Sequence, residues 1–202
     1  MPSAFELLEE TPRPFLDLIA LKEKFLKLSS SVHPDRVHAL GEAEKSAATQ
    51  RFADLNAAYL LLRDPQRRLS LLFEIETGTK LPNIQSTPAD IVELFMEVGQ
   101  FFRDVDPYLS RTNNQSETSS IVRATSRIRQ HEWSNQLKIL QAKIETHMEH
   151  ALLDLQKLDA NWMTGNQHQS LTPLLEHLAR VFAYLARWNQ QLSERSFQLK
   201  TL

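Results

Sequence analysis

Leu137, Leu140, Ile144, Met148, Leu152, Leu155 and Leu158 form an unbroken apolar seam at spacings of three and four residues, running on toward Trp162. That period lines one face of an α-helix and suits no strand, so the stretch must be one long amphipathic helix in need of partners. Two segments supply them. Thr87-Pro88-Ala89-Asp90 joins an N-cap, a first-turn proline and an acidic residue, opening a helix that carries Ile91, Leu94, Phe95, Val98 and Phe102 and is expected to end near Pro107. Serine-rich sequence from Ser110 to Ser120 reads as a loop. After a turn over 164–172, Pro173 is expected to start a last helix with Leu174, Leu178, Val181, Leu185, Trp188 and Leu192. The expectation for residues 88–202 is an antiparallel three-helix bundle.

Ahead of it, Gly78, Pro82, Asn83, Ser86 and Pro88 break any helix, which places a linker at 79–87 and a separate N-terminal domain at 1–78. Leu81 and Ile84 make the linker too apolar to hang free. The N-terminal domain is also helical in pattern. Ser3 to Glu6 has capping-box spacing before Phe5, Leu7 and Leu8, and this short helix is expected to stop near Thr11-Pro12-Arg13-Pro14. Leu18, Leu21, Phe25 and Leu28 predict the apolar stripe of a second helix, with Lys22, Lys24 and Lys27 as a basic face on its other side. Phe52, Leu55, Ala58, Tyr59 and Leu62 predict its antiparallel partner. Asp64-Pro65 then caps and starts a fourth helix with Leu69, Leu72 and Phe73.

Between the second and third helices stands His33-Pro34-Asp35-Arg36. Pro34 lacks a donor and pushes His33 out of the α region, so the second helix must stop and the tripeptide falls in an exposed loop at the tip of a helical hairpin. There Asp35 offers a carboxylate to a partner arginine. Considered alone, the tripeptide reads more readily as a plain turn than as a recognition site.

Its surroundings give it more weight. Phe5-Glu6-Leu7-Leu8, Phe25-Leu26-Lys27-Leu28 eight residues before His33, Leu55-Asn56-Ala57-Ala58-Tyr59 and Leu62-Arg63-Asp64-Pro65 together resemble a J domain of the DnaJ superfamily over roughly residues 3 to 76. Within it the chain is most similar to the HscB type, on Arg36 directly after the tripeptide, the run from Leu55 to Arg67, and Leu71-Leu72. The resemblance implies a co-chaperone: His33, Pro34, Asp35 and Arg36, with Lys22, Lys24 and Lys27, dock on a DnaK/HscA-type chaperone and stimulate its ATPase. Leu26 and Ser31 stand where J domains commonly carry basic residues, which implies weaker electrostatic attraction.

In the same family the C-terminal bundle docks an iron-sulfur scaffold protein through apolar residues of its first and last helices. Leu94-Phe95-Met96-Glu97 looks like that docking run, so the resemblance places the client on Phe95 and Met96, with Tyr184 on the last helix. Read as a helical stripe alone, these three residues fit the bundle core better than a surface. Gly99, Gln100 and Arg103 replace hydrophobic and acidic residues usual in the family, which leaves open an adaptor whose bundle binds a different client.

Composition bounds the rest. The net charge is −2 and the basic residues are scattered, so no nucleic-acid interface is expected. The chain has no cysteine, hence no disulfide and no thiolate with which to hold a cluster itself. His147 and His150, with Glu145 and Glu149 nearby, have a spacing that could share a metal but lack a third placed ligand, and read as surface polar residues. With no Gly-rich phosphate loop and no legible triad, neither an enzyme nor a cofactor is expected. No apolar run has bilayer length and the first thirty residues lack a secretory pattern, so the expected location is the cytoplasm, without membrane attachment.

Overall fold

The structure, a computed structural model, describes residues 2–32, 41–82, 87–112, 120–164 and 168–201. The described residues are all-α, with no strand among them. Helix α1 (Ala4–Leu7) opens on a true capping box: the Ser3 hydroxyl accepts from the Glu6 N–H at 3.2 Å and the Glu6 carboxylate accepts from the Ser3 N–H at 2.7 Å. It closes on Glu9, whose φ of 53° lets the Glu10 N–H reach back to the Phe5 carbonyl at 2.8 Å. Helix α2 (Leu18–Ser30) starts at Asp17, which accepts from the Ile19 N–H at 2.8 Å. Helix α3 is Glu42–Leu62. Helix α4 (Pro65–Thr77) begins on the expected Asp64 cap and first-turn proline, and ends at Gly78, whose φ of 70° needs a residue without a Cβ. After a 3-10 turn at Ala89–Ile91 come α5 (Val92–Thr112), α6 (Ser120–Thr164) and α7 (His168–Thr201).

The chain forms two compact units, Met1–Asn83 with Asp154–Ala179, and Ile84–Leu153 with Arg180–Leu202. This grouping interleaves the sequence instead of following a linear division at 79–87, and specific bonds explain why. In the first unit, Asp159 of α6 is buried and takes two bonds from the Arg13 guanidinium, one of them from Nε at 2.9 Å, and a third from the Phe15 N–H at 3.1 Å. His168, stacked on Trp162 at 4.1 Å, has Nδ1 3.3 Å from the Glu76 carboxylate of α4 and Nε2 3.1 Å from the Trp162 carbonyl. The core of this unit includes Phe5, Leu8, Leu21, Leu55, Leu62, Leu69 and Leu72.

In the second unit, Phe101 packs edge-on against Trp133 at 5.9 Å, Asp106 receives both arms of the Arg195 fork at 2.8 Å, and Glu97 pairs with Lys143 at 2.6 Å. The Arg195 guanidinium also lies 3.9 Å from the centre of the Phe102 ring.

Four expectations change. Helix α5 does not end at Pro107 but runs through it to Thr112, because Val105 and Leu109 on either side are buried and Asp106 is clasped by Arg195. Helix α7 begins at His168, five residues before Pro173. Pro173 lacks the N–H that would bond the Gln169 carbonyl, and the Thr172 hydroxyl donates to that oxygen at 2.8 Å instead. With the helix started earlier, Leu175 is the core residue and Leu174 is exposed. On α2, Leu18 lies outside the core, which takes Leu21.

Candidate functional site

Helix α2 carries the first set of expected site residues. Lys22 and Lys27 are exposed, whereas Lys24 is held by its own domain: its Nζ donates to the Glu9 carbonyl at 2.9 Å and pairs with the Glu10 carboxylate at 2.9 Å. The unusual φ of Glu9 is what turns that carbonyl toward α2. Lys24 therefore braces α1 against α2, and the basic face expected of three lysines is reduced at its centre. His33, Pro34, Asp35 and Arg36 lie outside the described residues. The helices on either side of them, α2 and α3, pack together as the hairpin expectation requires, with Phe25 stacked on Tyr59 at 4.6 Å.

What sequence reasoning missed on α2 is how apolar its outer face is. Leu18 is 51 % exposed, Ile19 73 % and Leu26 54 %. Spacing puts Leu18 on the buried stripe, and nothing in a single period distinguishes two apolar faces of one helix.

The segment before α2 is tied to the end of α3 by Arg68 on α4. Its guanidinium is buried and donates to the Pro14 carbonyl at 2.8 Å and to the Leu62 carbonyl, at the end of α3, at 2.5 Å. Burial lowers its pKa to about 10, against the opposing pull of Asp64 and Asp159. The Arg13 guanidinium is shifted the other way, above its usual value, chiefly by its hydrogen bond to Asp159.

In the second unit the structure brings two of the three expected client residues onto one platform. The Phe95 ring centre is 6.1 Å from that of Trp188, and Tyr184 is 5.4 Å from the same indole. Phe95 is 41 % exposed, Met96 60 %, and Tyr184 is half-buried, so the three are not core residues. Trp188 is the buried base. Its supporting role was hidden in the sequence because it falls on the core stripe of α7. One turn beyond Met96, the departures seen in the sequence are engaged among themselves: Arg103 donates to Gln100 at 2.7 Å and Gln100 to Asp104 at 2.7 Å.

Among the described residues, no helix is long and apolar enough to cross a membrane.

Comparison with known proteins gives this geometry a context. Residues 13–71 match the DnaJ domain family. Over 94 residues, 46 % of this chain and 53 % of the relative, the sequence is 33 % identical to the co-chaperone protein HscB homolog of Shewanella sp. (strain W3-18-1). Over 83 residues it is 36 % identical to the HscB homolog of Aeromonas hydrophila, covering 41 % of this chain and 48 % of that one. The chain thus spans about half the length of the curated relatives it matches. The fold is similar over a longer stretch. HscB from Vibrio cholerae superposes with a TM-score of 0.64 at 20 % identity, covering 98 % of this chain and 99 % of that one. Human co-chaperone protein HscB does so with a TM-score of 0.66 at 14 % identity, covering 96 % and 82 %. Residues 13–71, with the hairpin of α2 and α3 inside them, thus match the DnaJ domain, and the chain is similar in sequence over that part and in fold throughout to HscB co-chaperones.

Proposed function

We propose that this protein is a cytoplasmic J-domain co-chaperone: residues 1–78 stimulate the ATPase of a DnaK/HscA-type chaperone, and the bundle of 88–202 presents an iron-sulfur scaffold protein to it. Lys22 and Lys27 on α2, with His33, Pro34, Asp35 and Arg36 after it, contact the chaperone; Lys24 contributes by fixing α2. Phe95, Met96 and Tyr184 contact the client. The observation that carries this reading is the exposure of Phe95 beside Tyr184 on a shared tryptophan, with Met96 exposed next in sequence, in a chain whose N-terminal segment matches the DnaJ domain. Exposed aromatic groups seated on a rigid buried base are the usual makings of an interface anchor.

Single-turnover ATP hydrolysis by a DnaK-type chaperone tests the proposal. Stimulation by this protein, raised further when the scaffold protein is added, is the expected result. No stimulation at low salt and high protein concentration would contradict it. Replacing Phe95 by Ser is expected to weaken scaffold binding about tenfold or more, as loss of a central anchor does.

A second reading has one observation in its favour. The turn after Met96 is a polar ladder of Gln100, Arg103 and Asp104. That chemistry suits an adaptor whose bundle takes another client, and stimulation unaffected by the scaffold protein would favour it.

A further inference from the structure

The sulfur chemistry of this chain is confined to thioethers, since it has four methionines and no cysteine. Met1 lies outside the described residues, and the other three differ in their access to solvent. Met148 is half-buried on the seam of α6, Met163 near the end of α6 is 52 % exposed, and Met96 on α5 is 60 % exposed. Met96 is therefore the described methionine most open to a soluble reagent.

Its neighbours on α5 leave it so. The residue one turn later on the same face is Gly99, which has no side chain to lay over the thioether. The space a Cβ would take there is bordered within 4 Å by the Arg103 guanidinium, at 3.6 Å, and not by Met96. A long side chain on a helix leans back over the preceding turn, which for Met96 is the turn of Val92, an exposed apolar neighbour with no side-chain donor.

Oxidation changes what such a residue does in a contact. A hydroperoxide gives one oxygen to the thioether: the O–O bond breaks, an S–O bond forms from a sulfur lone pair, the sulfur is oxidised by two electrons, and hydrogen peroxide is reduced to water. The product, methionine sulfoxide, is polar, and its oxygen is an acceptor that an apolar contact leaves unpaired. Thiol-dependent methionine sulfoxide reductases remove the oxygen and restore the thioether.

We propose that Met96 makes the client platform sensitive to peroxide: the thioether favours docking of the scaffold protein, and its sulfoxide weakens docking reversibly. The inference rests on the client site proposed above and names its regulation. Phe95, Tyr184 and the buried Trp188 carry no thioether, so the sensitivity of the platform resides in Met96.

The test uses the full-length chain, the iron-sulfur scaffold protein and hydrogen peroxide, with oxygen gain mapped by peptide mass spectrometry and the Kd measured by calorimetry before and after treatment. Wild type is expected to gain oxygen at Met96 sooner than at Met148. Its Kd should weaken about tenfold or more, and return after treatment with methionine sulfoxide reductases and a thiol reductant. A chain with Met148→Leu and Met163→Leu keeps Met96 and should lose affinity as wild type does. For Met96→Leu the readout is the ratio of the Kd after peroxide to the Kd before, which should stay near one whatever the starting affinity of the variant. An unchanged Kd in wild type whose Met96 carries oxygen, an equal loss in Met96→Leu, no loss in the chain that keeps Met96 alone of the three, or oxidation of Met148 ahead of Met96 overturns the proposal. The untreated chain keeps the two readings apart: scaffold binding that Phe95→Ser weakens upholds the client site even where peroxide has no effect, and no binding by untreated wild type overturns both.

Discussion

Glu9 shows how much a single backbone angle decides. A non-glycine residue at φ 53° is strained, and here it both closes α1 and presents its carbonyl to Lys24. Since only the backbone is used, Glu9→Gly should keep the Lys24 contact and stabilise the fold by about 0.5–1 kcal/mol, as measured by urea unfolding. Arg68 is the opposite case, a side chain nothing else can replace. Arg68→Met leaves the Pro14 and Leu62 carbonyls without donors and should cost about 2–3 kcal/mol in the same measurement. The pH dependence has a definite sign. Burial lowers the folded pKa to about 10, so the folded state holds this proton less tightly than the unfolded chain. The cost of burying the cation is present at neutral pH and is relieved as pH rises through about 10, so the wild type should gain on Arg68→Met when urea unfolding is repeated near that pH. None of this was legible in the sequence, where Arg68 is one of four charged residues in 63–68 and no pattern marks it as interior.

Among the elements, caps and periods served well where the chain obeys local rules. Ser3 with Glu6, and Asp64 with Pro65, begin helices where expected, and Leu55, Ala58 and Leu62 are the buried stripe of α3. Prolines misled where tertiary contacts outweigh them. Pro173 reads as a helix start, yet α7 begins five residues earlier because Thr172 supplies the donor that proline lacks. Thr172→Val removes that donor and should destabilise the first turns of α7 by about 1 kcal/mol, visible as faster amide exchange around residues 170–175. The three residues proposed to meet the client illustrate the same limit from the other side. Spacing alone favours burying Phe95 with Leu94 and Val98, but the helix turns it to the rim, where Trp188 supports it.

Across the whole molecule, the instructive difference lies between linear and spatial division. Composition marks a break at 79–87, whereas Asp159 and His168, distant in sequence, belong to the same compact unit as α1 to α4. Pairing across 92 residues, for Glu76 and His168, or 146, for Arg13 and Asp159, leaves no trace in local pattern. It predicts that a fragment of residues 1–83 is less stable than the same residues in the full chain, because Arg13 and the Phe15 N–H lose Asp159. Asp159→Ala in the full chain should reproduce part of that loss, about 2–3 kcal/mol by urea unfolding. The all-α architecture and the J-domain hairpin were legible from helical period and the residues around His33-Pro34-Asp35; the apolar outer face of α2 and the loss of Lys24 to an internal bond were not. The most direct test of the account is single-turnover ATP hydrolysis by a DnaK-type chaperone with the wild-type chain beside Asp35→Asn. Acceleration by the wild type that Asp35→Asn lacks is the predicted result, and equal rates with the two proteins, or with neither protein and both, would contradict it.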